Sequence, residues 1–166
     1  MNEINIFSPA SVANVSCGFD VLGFCLDSVG DFMRISKTSS PGVTIGTVTG
    51  QKLPTDPLEN VASVAGLALV NEIGCKEGFR IDIDKKIKPG SGIGSSAASA
   101  AGAVFGINEL LGAPYTRNEL IRFAMAGEAL ASGAAHADNL APVLLGGFTL
   151  VRSNATLDVI KLPNPK

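Results

Sequence analysis

Pro89-Gly90-Ser91-Gly92-Ile93-Gly94-Ser95-Ser96-Ala97-Ala98-Ser99 joins two segments of different periodicity. Before it, Phe79-Arg80-Ile81-Asp82-Ile83-Asp84 alternates as a strand should; after it, a run of small residues reads as a helix that Gly112 stops. Glycines at alternate positions let a backbone approach a ligand with no Cβ in the way. The first turn of the following helix offers unpaired N–H donors and a partial positive charge, so phosphate is the natural guest. Ser95 and Ser96 can cap those donors, or present hydroxyls to a phosphate or to Mg2+. The alternative is a plain glycine turn, capped by serine, ahead of a tightly packed Ala/Gly helix. The stretch has no Gly-Lys-[Ser/Thr] ending and its glycines run G-x-G-x-G, so it is neither a Walker loop nor a dinucleotide fingerprint. The neighbouring Lys85, Lys86 and Lys88 are expected on a solvated strand edge.

Strand signals crowd the N-terminal side of this stretch. Ile4 and Ile6 open a first strand. Val21 to Leu26 and Phe32 to Lys37 read as two more, around a turn at Asp27-Ser28-Val29-Gly30-Asp31; Val43 to Thr49 is a fourth. Leu53 to Pro57 is a loop, and from Asn60 a helix runs until Gly74. On the C-terminal side, Thr116-Arg117-Asn118-Glu119 is a capping box that starts a helix through Leu130. Ser132 to Asn139 reads as irregular and Phe148 to Arg152 as a last strand. Strands first, then helices mixed with strands, favour α+β over a doubly wound sheet.

Composition narrows the function classes. Of 166 residues, 46% are hydrophobic and 17% charged, which excludes intrinsic disorder. A net charge of −2 excludes recruitment of nucleic acid or anionic lipid by charge alone. Cys17, Cys25 and Cys75 form neither a C-x-x-C nor a metal-ligand spacing, which fits a reducing compartment. The first residues lack the basic and apolar regions of a signal peptide, and no run is long enough to span a membrane. A cytoplasmic location is expected.

Two other segments carry polar residues in apolar settings. In Ser8-Pro9-Ala10-Ser11-Val12-Ala13-Asn14-Val15-Ser16-Cys17-Gly18-Phe19-Asp20, Asn14 and Asp20 need partners if buried. An Asx turn with exposed side chains is the other reading. In Gly127 to Asn139, Glu128 stands late on an apolar helix, where a lone carboxylate is costly without a cation or donor. His136, the single histidine, lies beside Asp138 and Asn139, as a substrate-binding corner or a loop that closes the domain. No G-x-S-x-G elbow presents a serine for hydrolase chemistry.

Pro-Ala-Ser-Val-Ala-Asn…Gly-Phe-Asp-Val-Leu-Gly, Pro-Gly-Ser-Gly-Ile-Gly-Ser-Ser-Ala and His-Ala-Asp-Asn-Leu-Ala-Pro occur in that order along nearly the whole chain. With these three motifs the sequence resembles the GHMP small-molecule kinases and, within them, the homoserine kinase family. The resemblance implies the two-layer α+β fold of the ribosomal protein S5 domain 2 type over residues 1–160. It implies ATP phosphates held by Pro89 to Ser99, with Asn60 and Val61 near the base. It further implies Mg2+ on Ser96 and Glu128, and the amino-acid substrate on Asn14, Asp20, His136 and Asn139. The acceptor would be the hydroxyl of L-homoserine, as in threonine biosynthesis, with no dedicated base. Homodimers are common in the family. Ser16-Cys17 stands where the family commonly has Gly-Pro. The family's ferredoxin-like second domain and its arginines for the substrate carboxylate have no counterpart here. Residues 161–166 are therefore expected to begin a linker, and the chain alone to bind nucleotide weakly and turn over poorly. A GHMP kinase for another small alcohol, and a non-catalytic nucleotide-binding module, are the competing readings.

Overall fold

A computed structural model describes residues 1–133 and 136–163. In chain order its elements are β1 (Glu3–Val15), β2 (Gly18–Thr38), β3 (Gly42–Thr49), α1 (Val61–Ile73), β4 (Gly78–Asp84), α2 (Ser95–Leu110), α3 (Arg117–Ser132), α4 (Leu140–Leu145), β5 (Phe148–Ser153) and β6 (Asp158–Leu162). The strands form one sheet in the order β3-β4-β2-β5-β6, with β1 also paired to β2; β3 and β4 run parallel and the other pairs antiparallel. The α+β expectation holds.

Alternation sorts the sheet into two faces. Met33, Ile35, Phe79, Ile81 and Ile83 are buried and form the core with the helices. The small residues of α2 let the sheet come close: Ala97, Ala98, Ala100, Ala101 and Ala103 are all fully buried. On the opposite face Phe7 and Phe32 lie open, with ring centroids 5.4 Å apart, beside Arg34, Asp82 and Asp84.

Several readings of the sequence are corrected here. The two strands placed around a turn at Asp27 to Asp31 are one strand, β2. Its partner β1 pairs Pro9 with Gly30 and Ser11 with Cys25, so the β2 residues between Cys25 and Gly30 form a bulge instead of a reversal. The strand at Phe148 is not the last. β6 follows it, pairs through Phe148↔Leu162 and Val151↔Val159, and runs to Leu162, past position 160. The final residues of the expected linker, 164–166, lie outside the described residues. The short α4 had no signal in the sequence reading, and Ser132 closes α3 instead of opening an irregular stretch.

The helix boundaries follow the sequence. Asn60 caps α1 by accepting from the Ala62 N–H at 2.9 Å, and Gly74 ends it in the left-handed region at φ 66°. Thr116 and Glu119 form the expected reciprocal box at the start of α3. Thr116→Ala removes both its hydroxyl bonds, and calorimetry should record a loss of about 2–4 °C in Tm.

Candidate active site

β4 ends at Asp84 and α2 begins at Ser95, so the glycine stretch spans the gap between the sheet's end and the helix's first turn. Gly90, Gly92 and Gly94 all take positive φ, at 75°, 78° and 64°. Gly94 stands at the N-cap of α2 and provides no side-chain cap, so the first N–H groups of the helix have no side-chain acceptor. A Cβ on Gly94 would lie 2.1 Å from the Ser11 hydroxyl and 3.1 Å from Asn139 Oδ1, so only glycine fits there. β1 fastens the loop from below: the Ser11 N–H donates to the Ile93 carbonyl at 3.2 Å, and its hydroxyl to Asn139 Oδ1 at 2.9 Å.

A cavity of about 530 Å3 opens over this loop. Pro89, Gly90, Ser91, Gly92, Gly94, Ser95, Ser96 and Ser99 line one side. Val61, Glu128, Asn14 and Asn139 are among the residues opposite, and Lys85 is on the wall too, so separate elements of the fold meet on the glycine stretch. Other predicted residues sit elsewhere. Ile93 packs on Ala10, Ile87 and Ala98; Ala97 and Ala98 belong to the core; Asn60 is buried beneath Val61 as a helix cap whose amide donates to the Pro54 carbonyl. The Ser95 hydroxyl neither caps α2 nor faces a ligand, because it donates to the Ile87 carbonyl at 3.1 Å.

Glu128 reaches the cavity because α3 comes very close to α1 one residue earlier. A Cβ on Gly127 would lie 2.4 Å from the Val61 carbonyl oxygen. Burial pushes the Glu128 carboxyl above the ordinary glutamate range; a hydrogen bond with Ser96 opposes the shift and the charge of Asp138 adds to it. Glu128 Oε2 is buried with no hydrogen-bond partner. A buried, unpartnered carboxylate oxygen beside a serine hydroxyl suits a hard divalent cation. Among the described residues no three His, Cys, Asp or Glu side chains gather to hold a metal by themselves. A cation here would draw its remaining ligands from phosphate oxygens and water, as Mg2+ commonly does.

Asn14 and Asp20 lie at the β1–β2 tip, both in the left-handed region with φ 59° and 58°. The Asp20 N–H donates to Asn14 Oδ1 at 2.8 Å across six residues, so Asn14 is exposed as one reading had it, but its side chain ties β1 to β2 instead of closing an Asx turn, and the residue lies on the cavity wall. Ser16 takes φ 53°, a conformation that the family's usual glycine adopts without strain. His136 Nδ1 lies 3.4 Å from Asp20 Oδ1. Asp138, beside the predicted His136 and Asn139, carries no site role in the sequence motifs, yet it is only 4% exposed and its charge acts on Glu128. Burial raises the Asp138 carboxyl, against the lowering effect of the Asn139 N–H. Its sequence signal was an aspartate between Ala137 and Leu140, both buried.

Lys85 contradicts its expected place on a solvated edge. It is 1% exposed and ion-paired with Asp31 at 2.5 Å. Lys86 matches the expectation, exposed and paired with Asp84. A second concavity, about 580 Å3, lies on the open sheet face, but its charged groups are already paired, Arg34 with Asp82 and Asp84 with Lys86. Although burial raises it, the Asp82 carboxyl is brought down to about 2 by the Thr47 N–H and by Arg80 and Arg34. The three cysteines are free thiols. No helix among the described residues is long and apolar enough to cross a membrane.

A phosphate-type glycine loop at an uncapped helix start, facing a carboxylate with a bare oxygen, is an arrangement suited to a phosphate-bearing ligand and a divalent cation. The model of the GHMP kinases N terminal domain matches residues 59–147, and the chain belongs to that family. It is similar to the homoserine kinase of Chloroherpeton thalassium, 44% identical over 177 residues that cover 99% of this chain and 56% of that protein. It is also similar to the crystal structure of homoserine kinase from Cytophaga hutchinsonii, with TM-score 0.93 and 49% identity over 99% of this chain and 53% of that one. The Methanococcus jannaschii mevalonate kinase shares the fold at TM-score 0.72 and 16% identity, over 98% of this chain and 56% of that one. The chain thus spans little more than half the length of the curated relatives it matches.

Proposed function

We propose that this chain forms the nucleotide-binding part of a homoserine kinase, which transfers the γ-phosphoryl group of ATP to the side-chain hydroxyl of L-homoserine. The observation that carries the reading is the meeting of the Pro89–Ser96 loop with Ser96 and the bare oxygen of Glu128 in one cavity. The similarity to homoserine kinases over the whole chain supports the choice of acceptor. The compartment is expected to be the cytoplasm, in keeping with three free cysteines.

Each residue then has a task. The loop amides and the uncapped N–H groups of α2 bind and orient the phosphates. Ser96 and Glu128 would hold Mg2+, which neutralises charge on the phosphate oxygens when bound. Asn14 and Asn139 on the cavity wall, with Asp20 bonded to Asn14 and His136 beside Asp20, hold the amino acid with its hydroxyl turned to the γ-phosphorus. The new O–P bond forms as the bond to the bridging oxygen of ADP breaks, and the hydroxyl proton passes to the transferred phosphoryl group. No carboxylate stands as a base, so rate comes from alignment and charge stabilisation.

The test is ADP release by the complete gene product with homoserine, threonine, serine, mevalonate and sugars as acceptors. Homoserine should be the preferred one, and preference for another alcohol overturns the assignment. In the same assay, Asp20→Ala should raise KM for homoserine by about tenfold or more while KM for ATP stays near the parent value.

A further inference from the structure

The geometry points to Lys85 and Asp31 as a positioning pair that sets the shape of the phosphate loop from beneath. This rests on the nucleotide reading of that loop. A lysine on the wall of a phosphate cavity invites the role of phosphate ligand, but the contacts of Lys85 assign it another. Its ammonium donates to Asp31 Oδ2 at 2.5 Å, to the Ser95 carbonyl at 2.6 Å and to the Ser99 hydroxyl at 2.9 Å. All three N–H bonds are committed, and none is left for a ligand.

Asp31 completes the tie from the other side. Its Oδ1 accepts the N–H groups of Lys86 and Ile87 at 2.8 and 2.9 Å. The pair therefore grips the chain just before the loop, through Asp31, and just after it, through Lys85. Ile87 and Ser95 are tied directly as well, carbonyl to hydroxyl. A loop with three glycines at positive φ has little preference of its own, so this grip fixes where its amides point. Both side chains are within 1% of full burial, which makes the contact strong only while both charges are present. Asp31 lies at the β2 bulge, opposite Ser8 of β1, so the anchor comes from the sheet and not from the loop.

The experiment reads amide hydrogen exchange of residues 86–96 and binding of Mg-ATP in the complete gene product. Lys85→Met leaves the Asp31 charge buried alone and should lower Tm, speed exchange in the loop and weaken ATP. The decisive variant is Asp31→Asn/Lys85→Met, which is neutral and keeps an acceptor for the Lys86 and Ile87 N–H groups. It should regain Tm relative to the single variant, yet keep fast loop exchange and bind ATP about tenfold more weakly than the parent. Parental exchange and affinity in the double variant would mean a merely structural pair and overturn the proposal. Ser99→Ala serves if the double variant does not fold: removing one acceptor of Lys85 should speed loop exchange about threefold at nearly unchanged Tm, and parental exchange counts against the pair. A complete parent protein that binds no Mg-ATP while its variants still loosen the loop would remove the nucleotide reading and leave the pair standing.

Discussion

Glu128→Gln should make the chain more heat-stable while it removes metal-dependent turnover. Glu128 has a folded-state carboxyl raised by burial above its ordinary value of 4.5, so the native state holds the proton more tightly than the unfolded chain does. The stability this group contributes is complete below about pH 4.5 and is lost as pH rises through the folded value. Glutamine has no charge to desolvate, so the variant should melt about 2–4 °C higher near neutrality, with the advantage fading toward acid. Scanning calorimetry across that range measures it, and a difference that fails to grow with pH contradicts the burial argument. In the complete gene product the same change removes a charged ligand for Mg2+, and turnover should fall by about 10²–10³. Mg-ATP should raise the Tm of the parent and leave that of the variant nearly still. A passive nucleotide binder would show neither loss.

Gly94→Ala should be the most damaging single change to nucleotide binding. The residue combines φ 64° with a forbidden Cβ, which would sit 2.1 Å from Ser11 Oγ and 3.2 Å from the Ser11 carbonyl. Relief demands that β1 or the loop move, and either motion breaks the Ser11–Asn139 bond at the cavity's edge. Strain and crowding together should lower Tm by about 5–10 °C, and ATP affinity by about 100-fold. Gly112→Ala separates the two causes. That residue also has positive φ, at 86°, but open space around it and no part in the cavity. It should lose stability modestly and bind ATP as the parent does, by calorimetry and titration. Equal loss of affinity in both variants would place the effect in folding alone.

Residues whose message is local were legible in the sequence. Thr116 and Glu119 lie three apart and bond each other; Glu128 announced itself as a carboxylate among Ala and Leu; the alternation of Phe79, Ile81 and Ile83 fixed the buried face of β4. What escaped depends on distant partners. Lys85 sits in a lysine-rich run that reads as solvated, and the carboxylate that buries it lies 54 residues away. The Asp27 to Asp31 segment has turn-forming residues, but β1 pairs along both flanks and holds it in the sheet. The neighbouring serines 95 and 96 are alike in sequence and opposite in use, because helix phase sends one to Ile87 and the other to Glu128. β6 has five residues and two prolines after it, and only its ladder to β5 identifies it.

The start of α2, with Gly94 at its cap and no side chain spent on its first amides, has a practical corollary. Small oxyanions in the flask, such as sulfate or inorganic phosphate, meet the same donors that a triphosphate requires. Purification salts will therefore compete with the ligand, and a titration run in phosphate buffer understates the grip that a chloride buffer would reveal.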